Sequence, residues 1–453
     1  MYVLGIDIGT TTICVSAVDA ETGIGKKAIT VNSESFIETD KAYEKIQSVE
    51  IIEGKVFDLL AQVRAEAADV CAIGVTGQMH GIVYTDENGV ACSSLATWQD
   101  GRAAEKAKDG KTYCEKIKEL TGYSVAPGYG LATHYYNLQN GLVPAKARSF
   151  CTIHDYIAMR LCGRKTPLMH SSDAASFGLF DIKNARFDTA ACEKLGFDIS
   201  MLPEVTADTA SAGNFEGIPV SVAIGDNQAS FIGSVDDSEN TILVNIGTGS
   251  QISVKGAPET AFPSGEVRPL TGDDYILVGS ALCGGRVYAC LEKFFRETFR
   301  LQGGGDESAY RFMDDIAESF YPLDNELIID TAFSGKRSAP DVRGSIQNIC
   351  TDNLTPAHLV CGVLKGSVRE LYDMYLEVAD TLSTKPTKLV GSGNGLRKSP
   401  VWRKMCEEMF GLSMSVPAHK EEAAYGAAVF ALAACGVCES IKEAQKIIRY
   451  IGE

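Results

Sequence analysis

The sequence predicts an α/β protein made of two similar halves, and three observations carry that expectation. A short apolar strand runs into a Gly-Thr turn near the start of each half. These are Val3-Leu4-Gly5-Ile6-Asp7-Ile8-Gly9-Thr10-Thr11 and Ile242-Leu243-Val244-Asn245-Ile246-Gly247-Thr248-Gly249-Ser250. The 453-residue chain is long enough for two domains with substantial cores. Its 45% apolar and 22% charged residues are the proportions of an ordinary soluble globular protein without a long disordered tail. Such turns offer approachable backbone N–H groups and hydroxyl donors, which suits phosphate oxygens. Two of them, a domain apart, suggest duplicated halves facing each other across a nucleotide.

The first half opens on two strand candidates, Val3–Ile8 and Ile13–Val18, with a turn at Glu21-Thr22-Gly23. A helix is expected around Lys55–Ala67. A short buried strand follows at Ala72–Val75, then the polar segment Thr76-Gly77-Gln78-Met79-His80-Gly81, and the chain re-emerges as Ile82–Tyr84. A polar segment held between strands is a loop at a sheet edge, where binding residues commonly sit. The strand-like Val220–Ile224 leads to Gly225 and Asp226.

The second half repeats this grammar. Strand Thr241–Ile246 and its turn lead to Ile252–Val254. Thr355-Pro356 opens a long amphipathic helix with Thr as N-cap and Pro at the first helical position. Strand Lys388–Val390 ends in Gly391-Ser392-Gly393-Asn394-Gly395, and Ser399-Pro400 caps a helix through Phe410. A last helix over Glu421–Cys435 is rich in Ala and Gly, which permits close approach of another backbone. The acidic stretch Ser234–Asn240 marks the boundary, giving domains 1–237 and 238–453.

Composition narrows the function. A formal charge of −17 argues against a nucleic-acid or membrane-surface binder, so a polyanion site must be local. No apolar run approaches bilayer length and no signal sequence is evident, and a cytoplasmic location is expected. The 14 cysteines are irregularly spaced, and Cys435-Gly-Val-Cys438 has no second pair or nearby His to make a metal or redox site. Reduced, mostly buried thiols are expected. His134, His154, His170, His358 and His419 lack metal spacing and are read as structural or surface residues. Gly303-Gly304-Gly305 reads as a surface turn.

Three glycine-bearing turns after apolar strands, at Gly9, Gly247 and Gly391, fit two loops for phosphates and one for adenosine. Walker and Rossmann patterns are absent from all three. Gly5–Thr11, Asn245–Gly249 and Gly391–Gly395 together resemble the phosphate and adenosine motifs of the actin-like ATPase superfamily. Within it, Gly225-Asp226-Asn227-Gln228-Ala229-Ser230 resembles the catalytic segment of the FGGY carbohydrate kinases. Thr76–Gly81 and Trp98-Gln99-Asp100-Gly101-Arg102 resemble the sugar-contacting segments of their xylulokinase branch. Gln99, the Thr152–Tyr156 segment and Ala174-Ala175-Ser176 are similar to the sedoheptulose kinases of that branch. The match runs essentially end to end.

The resemblance implies two actin-like, ribonuclease H-like domains around a nucleotide and sugar cleft, and an ATP- and Mg²⁺-dependent ketose kinase. Nucleotide contacts are expected from Gly9, Thr10, Thr11, Gly247, Thr248, Gly249, Gly391, Ser392, Gly393 and Asn394. Sugar contacts are expected from Gln78, Met79, His80, Trp98, Asp100, Arg102, Asp226 and Asn227, with Asp7 and Asp226 at the metal. A sugar hydroxyl is a poor nucleophile, so an aligned carboxylate that accepts its proton assists transfer; the resemblance implies that Asp226 is that base. Out of context Asp226 also reads as a helix N-cap. His80 also reads as a satisfied loop histidine, Trp98 as core, and Arg102 as a structural partner of Asp100. Asp7 is acidic in an otherwise apolar strand, where a hydrated Mg²⁺ is its natural neutraliser. Other readings keep the fold but change the outcome: a kinase of D-xylulose or another ketose, a non-catalytic sugar or nucleotide sensor, or a filament or chaperone ATPase. The last has no use for the Gln-Met-His and Trp-Gln-Asp-Gly-Arg segments. The expected partners are a ketose and ATP, in a monomer or homodimer.

Overall fold

The strand Tyr2–Ile8, buried on both faces as its apolar run requires, lies inside a seven-stranded sheet of the computed structural model. That structure describes residues 1–336, 339 and 341–452. Thr12–Asp19 pairs antiparallel with the first strand, and Gly25–Asn32 pairs antiparallel with the second. On its other side Val70–Gly77 runs parallel, followed by Ile218–Ser221. Ile224–Gly225 also pairs with the end of Val70–Gly77. The strand expected at Ala72–Val75 thus runs on through Thr76-Gly77, where the Thr76 hydroxyl donates to the Ile224 carbonyl at 2.7 Å.

The helix expected around Lys55–Ala67 starts earlier, at Val49, because Ser48 caps it by accepting from the Ile51 N–H. Its buried face is Ile52, Val56, Leu59, Leu60 and Val63, at the spacing of one helical stripe.

The second sheet repeats the pattern. Thr241–Ile246 pairs antiparallel with Ser250–Gly256 and parallel with Lys388–Ser392, so both Gly-Thr turns join an antiparallel pair whose first strand has a parallel neighbour. The long helix is Pro356–Val378 with Thr355 as its N-cap, and Ser399 caps Pro400–Phe410, which closes on Gly411 at φ +67°. Gly391 and Ser392 finish a strand, and Gly393, at φ +83°, opens the helix Gly393–Lys398. The third glycine motif is therefore a strand-to-helix junction more than a loop.

Packing divides the chain less simply than one boundary. Residues 1–236, 268–275 and 421–449 form one unit. Residues 237–267 and 276–420, with the C-terminal residues from Tyr450, form the other. The division 1–237 and 238–453 differs from this at two segments, and the physical reason for the larger one is glycine. Helix Glu422–Ala434 lies so close to the first sheet that a Cβ on Gly5 or Gly74 falls 1.8 or 1.9 Å from the Ala424 or Ala427 carbonyl oxygen. A Cβ on Gly426 falls 1.7 Å from the Ala229 oxygen. The close backbone approach expected of this helix is made with the first unit. All 14 cysteines are free thiols. Among the described residues, no helix is long and apolar enough to cross a membrane.

Candidate active site

In the first unit, register brings the motifs to one edge. Asp7 pairs with Thr76, and Thr76 with Ile224; Ile8 pairs with Gly77, and Gly77 with Gly225. Three parallel strands therefore end together, delivering the Gly9 turn, the Gln78–His80 loop and Asp226 to the carboxyl edge of the sheet. That edge is where open α/β sheets bind ligands. The Gln78 N–H donates to the Ile8 carbonyl at 2.9 Å, which ties the loop to the end of the first strand.

Asp226 is the first residue of helix Asp226–Ser234, with Gly225 in the capping position, so it is not the N-cap. Its side chain is only partly buried. Burial raises its pKa above the ordinary carboxylate value, while His154 and Arg268 draw it back down. Asp7 is pushed up to about 7, first by burial and then by the negative charges of Asp226 and Glu421. Two carboxylates placed so that one opposes ionisation of the other are a fitting oxygen donor set for a hard divalent cation.

Arg268 escaped the sequence reading, because nothing in Glu266–Pro269 distinguishes it and it comes from 41 residues beyond its partner. It is 8% exposed, donates to Asn227 Oδ1 at 2.6 Å, and lies 3.8 Å from Met79 Sδ. Met79 packs on Gly225, where a Cβ would fall 2.8 Å from its Cε. Behind this layer sits a buried cluster. His154 Nε2 is 2.9 Å from Asp173 Oδ1, and Thr152 Oγ1 donates to Asp155 Oδ2 at 2.6 Å. Burial moves all three toward their neutral forms: Asp155 and Asp173 are raised well above the ordinary value and His154 is lowered. His154, read from the sequence as a structural or surface residue without metal spacing, is wholly buried, and with Asp155 and Asp173 it offers ligand atoms within 4.8 Å of one another that could hold a metal ion.

The remaining first-unit candidates divide. His80 has φ +73°, stacks on Tyr129 with ring centroids 4.6 Å apart, and places Nδ1 2.8 Å from the Ser176 carbonyl. That carbonyl only accepts, so Nδ1 carries the proton. Trp98 is no core residue: it is 46% exposed, and its indole N–H donates to Thr10 Oγ1 at 2.9 Å. Asp100 and Arg102 are brought to each other instead. The guanidinium grips both carboxylate oxygens at 2.7 and 2.9 Å and donates to Asn137 at 2.8 Å, while Asp100 also accepts from the Lys45 N–H. Both are at least nine-tenths buried, so this pair braces the Trp98 loop. Thr11 is exposed beyond the turn.

The second unit holds a cavity of about 630 Å³, bordered by Gly247, Thr248, Arg286, Tyr288, Tyr310, Asn394, Gly395 and Trp402 among others. It joins the second Gly-Thr turn to the third glycine motif, and Asn245 Nδ2 links them again by donating to Ser392 Oγ at 2.8 Å. Gly249 follows in the turn, with its carbonyl accepting from the Gly247 N–H. Gly391 lies buried in its strand behind the cavity. The N-terminus of helix Gly285–Leu301 approaches the turn closely. The Gly285 N–H donates to the Gly247 carbonyl at 2.7 Å, and a Cβ on Gly284 would fall 2.5 Å from the Gly249 oxygen. The glycines of Cys283-Gly284-Gly285 are the sequence signal for this approach. The aromatic wall of Tyr288, Tyr310 and Trp402 had no local signal.

A carboxylate pair beside one Gly-Thr turn, and a cavity of nucleoside size opening on another, define an actin-like phosphotransferase. The chain belongs to the FGGY family of carbohydrate kinases. The model of that family's N-terminal domain matches residues 2–233, and that of its C-terminal domain residues 242–435. Sedoheptulokinase from Homo sapiens is 28% identical, over 95% of this chain and 97% of that protein. Glycerol kinase from Mycoplasma genitalium is 25% identical, over 98% and 92%. Among solved structures, xylulose kinase from Lactobacillus acidophilus superposes with a TM-score of 0.82 at 19% identity, over 99% of this chain and 92% of that one. The chain is an ATP-dependent sugar kinase with the two-domain fold of that family.

Proposed function

We propose that the enzyme phosphorylates the terminal primary hydroxyl of a ketose, with sedoheptulose preferred and sedoheptulose 7-phosphate as product. The observation that carries the proposal is the register that sets Asp226 beside the Gln78–His80 loop at one sheet edge. In this reading the Asp226 carboxylate accepts the hydroxyl proton as the sugar oxygen attacks the terminal phosphorus of ATP, and ADP leaves. Gln78, Met79, His80, Trp98 and Asn227 orient the sugar, and Arg268 holds Asn227. Asp100 and Arg102 act through the loop they brace. Thr10, with Gly9, lines the transferred phosphate, Gly247–Gly249 take the remaining phosphates, and Ser392, Gly393 and Asn394 help hold the adenosine. Asp7 and Asp226 would hold Mg²⁺, which would neutralise phosphate charge when bound. The preference for sedoheptulose rests on the similarity to the human and Mus musculus sedoheptulokinases.

Purified protein with ATP, Mg²⁺ and a panel of ketoses tests this. The expected result is sugar-dependent ADP release with the highest kcat/KM for sedoheptulose. A higher value for D-xylulose replaces the substrate and keeps the chemistry. Binding without ADP release from any sugar refutes the activity and favours a sensor.

A further inference from the structure

A closed ring of hydrogen bonds joins the first Gly-Thr turn to the Gln78 loop, and its hub is a residue that no motif contains. Gln47 ends the short strand Ile46–Gln47 and is wholly buried. Its Nε2 donates to the Thr10 carbonyl at 2.7 Å, and its Oε1 accepts from Gln78 Nε2 at 2.8 Å. Thr10 Oγ1 in turn donates to Gln78 Oε1 at 3.2 Å, which closes the ring. Trp98 joins from outside through its indole N–H on Thr10 Oγ1. The Gln47 strand pairs with Leu95–Ala96, the segment that leads into Trp98, so backbone and side chain brace the same loop.

We propose that Gln47 is a positioning residue for phosphoryl transfer, its amide holding the phosphate turn and the sugar-contacting loop in one frame. The proposal rests on the sugar-kinase reading above. The ring accepts one orientation of the amide. Thr10 offers Gln47 a carbonyl, which only accepts, and Gln78 offers it an NH₂, which only donates. Reversing the Gln47 amide opposes like groups at both ends. Gln47 and Gln78 are buried and Thr10 partly so, and losing the hub leaves a donor at Gln78 unpaired and leaves the Thr10 carbonyl held by Ser33 Oγ alone, at 3.2 Å, so both loops relax together. Thr10 adjoins Gly9, while Trp98 is the ring's exposed neighbour. Gln78 is itself 2% exposed, so a sugar resting on Trp98 and on the loop that Gln78 anchors is placed relative to the phosphate turn by hydrogen bonds that Gln47 completes.

The test compares steady-state kinetics of wild type, Gln47→Met and Gln47→Glu. Methionine keeps length and bulk and removes both hydrogen bonds. The KM values for ATP and for the sugar are expected to rise together, each about ten-fold or more. Glutamate keeps the acceptor for Gln78 and lacks the donor for Thr10, so it raises the KM for ATP more than that for the sugar. A residue that only stabilises the fold lowers the melting temperature and the active fraction and leaves both KM values unmoved. Both KM values within two-fold of wild type in Gln47→Met overturn the proposal. Should Gln47→Met not fold, an unchanged KM for ATP in Gln47→Glu does the same. Wild-type protein that turns over no sugar refutes the kinase reading instead, and ATP affinity of the variants then decides the role of Gln47 at the turn alone.

Discussion

Replacing Asp226 by Asn removes one proton-accepting oxygen and one negative charge at almost constant volume. The surroundings survive the change: the Arg268 to Asn227 hydrogen bond of 2.6 Å does not pass through Asp226, and Asn227 lies a long 3.5 Å from it. General-base catalysis contributes about 10²- to 10⁴-fold, or about 3–5 kcal/mol of the barrier. A fall of kcat within that range is expected, with the KM for the sugar within a few-fold of wild type. Stability should move the other way. Burial raises the pKa of Asp226 by more than His154 and Arg268 lower it, and its charge raises the pKa of Asp7, so the folded state carries an electrostatic cost that Asn relieves. The assay pairs coupled ADP release with thermal melting on the same preparation. A folded Asp226→Asn enzyme retaining more than a tenth of wild-type kcat refutes the base assignment. A large drop in melting temperature refutes the electrostatic argument.

Tyr310, 40% exposed at the wall of the second-unit cavity, is expected to contact the nucleoside. Tyr310→Ala should raise the KM for ATP by about five- to ten-fold, an aromatic contact of about 1 kcal/mol, and leave the KM for the sugar unchanged. Gly426→Ala sets a methyl 1.7 Å from a backbone oxygen and should cost about 3 kcal/mol or more, whereas Gly54→Ala, in a helix with nothing within 4 Å, should gain about 0.5–1 kcal/mol; denaturant titration separates them. Burial holds His134 and His170 near pKa 4, against 6.5 unfolded. The unfolded chain binds more protons between those values, so this stability is complete above pH 6.5 and is lost as pH falls toward 4, by up to about 3 kcal/mol for each histidine. Unfolding free energies of His134→Gln should depend less on pH across that window than those of wild type.

What was legible in the sequence was what neighbours in the chain can encode. Strands around Gly9 and Gly247 announce themselves by unbroken apolar runs, and Thr355 and Ser399 by a capping hydroxyl before proline. The position of Asp226 at a strand-to-helix corner was legible because the glycine before it and the helix after it are local, while its role comes from the resemblance. The rest depends on pairs far apart in the chain. Nothing near Asp100 or Arg102 decides whether the guanidinium faces a sugar or its own carboxylate; Asn137 and the Lys45 backbone decide it. Arg268 and Gln47 gain their roles only through the partners the fold brings to them. The membership of Glu422–Ala434 in the first unit was half legible. Its small residues forecast a close backbone partner, and Gly5 and Gly74, also visible in the sequence, turned out to be that partner's half of the contact.

The two Gly-Thr turns repeat a topology and divide its chemistry. Each follows a strand with a polar residue two positions before the first glycine, Asp7 in one and Asn245 in the other. Asn245 donates to Ser392 and so fastens its turn to the junction that borders the second-unit cavity. Asp7 carries a charge that burial and its acidic neighbours oppose. In the proposed reading, a neutral amide suits a turn that holds the nucleotide in place, because it adds a bond without repelling phosphate. In the same reading, a destabilised carboxylate suits a turn beside the reacting groups, because a cation arriving with the phosphates would relieve it there. Gln47 extends the same division. Its hydrogen bonds fix the charged turn through Thr10, as Asn245 fixes the neutral one, so in each unit a side-chain amide sets the frame and only the first adds charge.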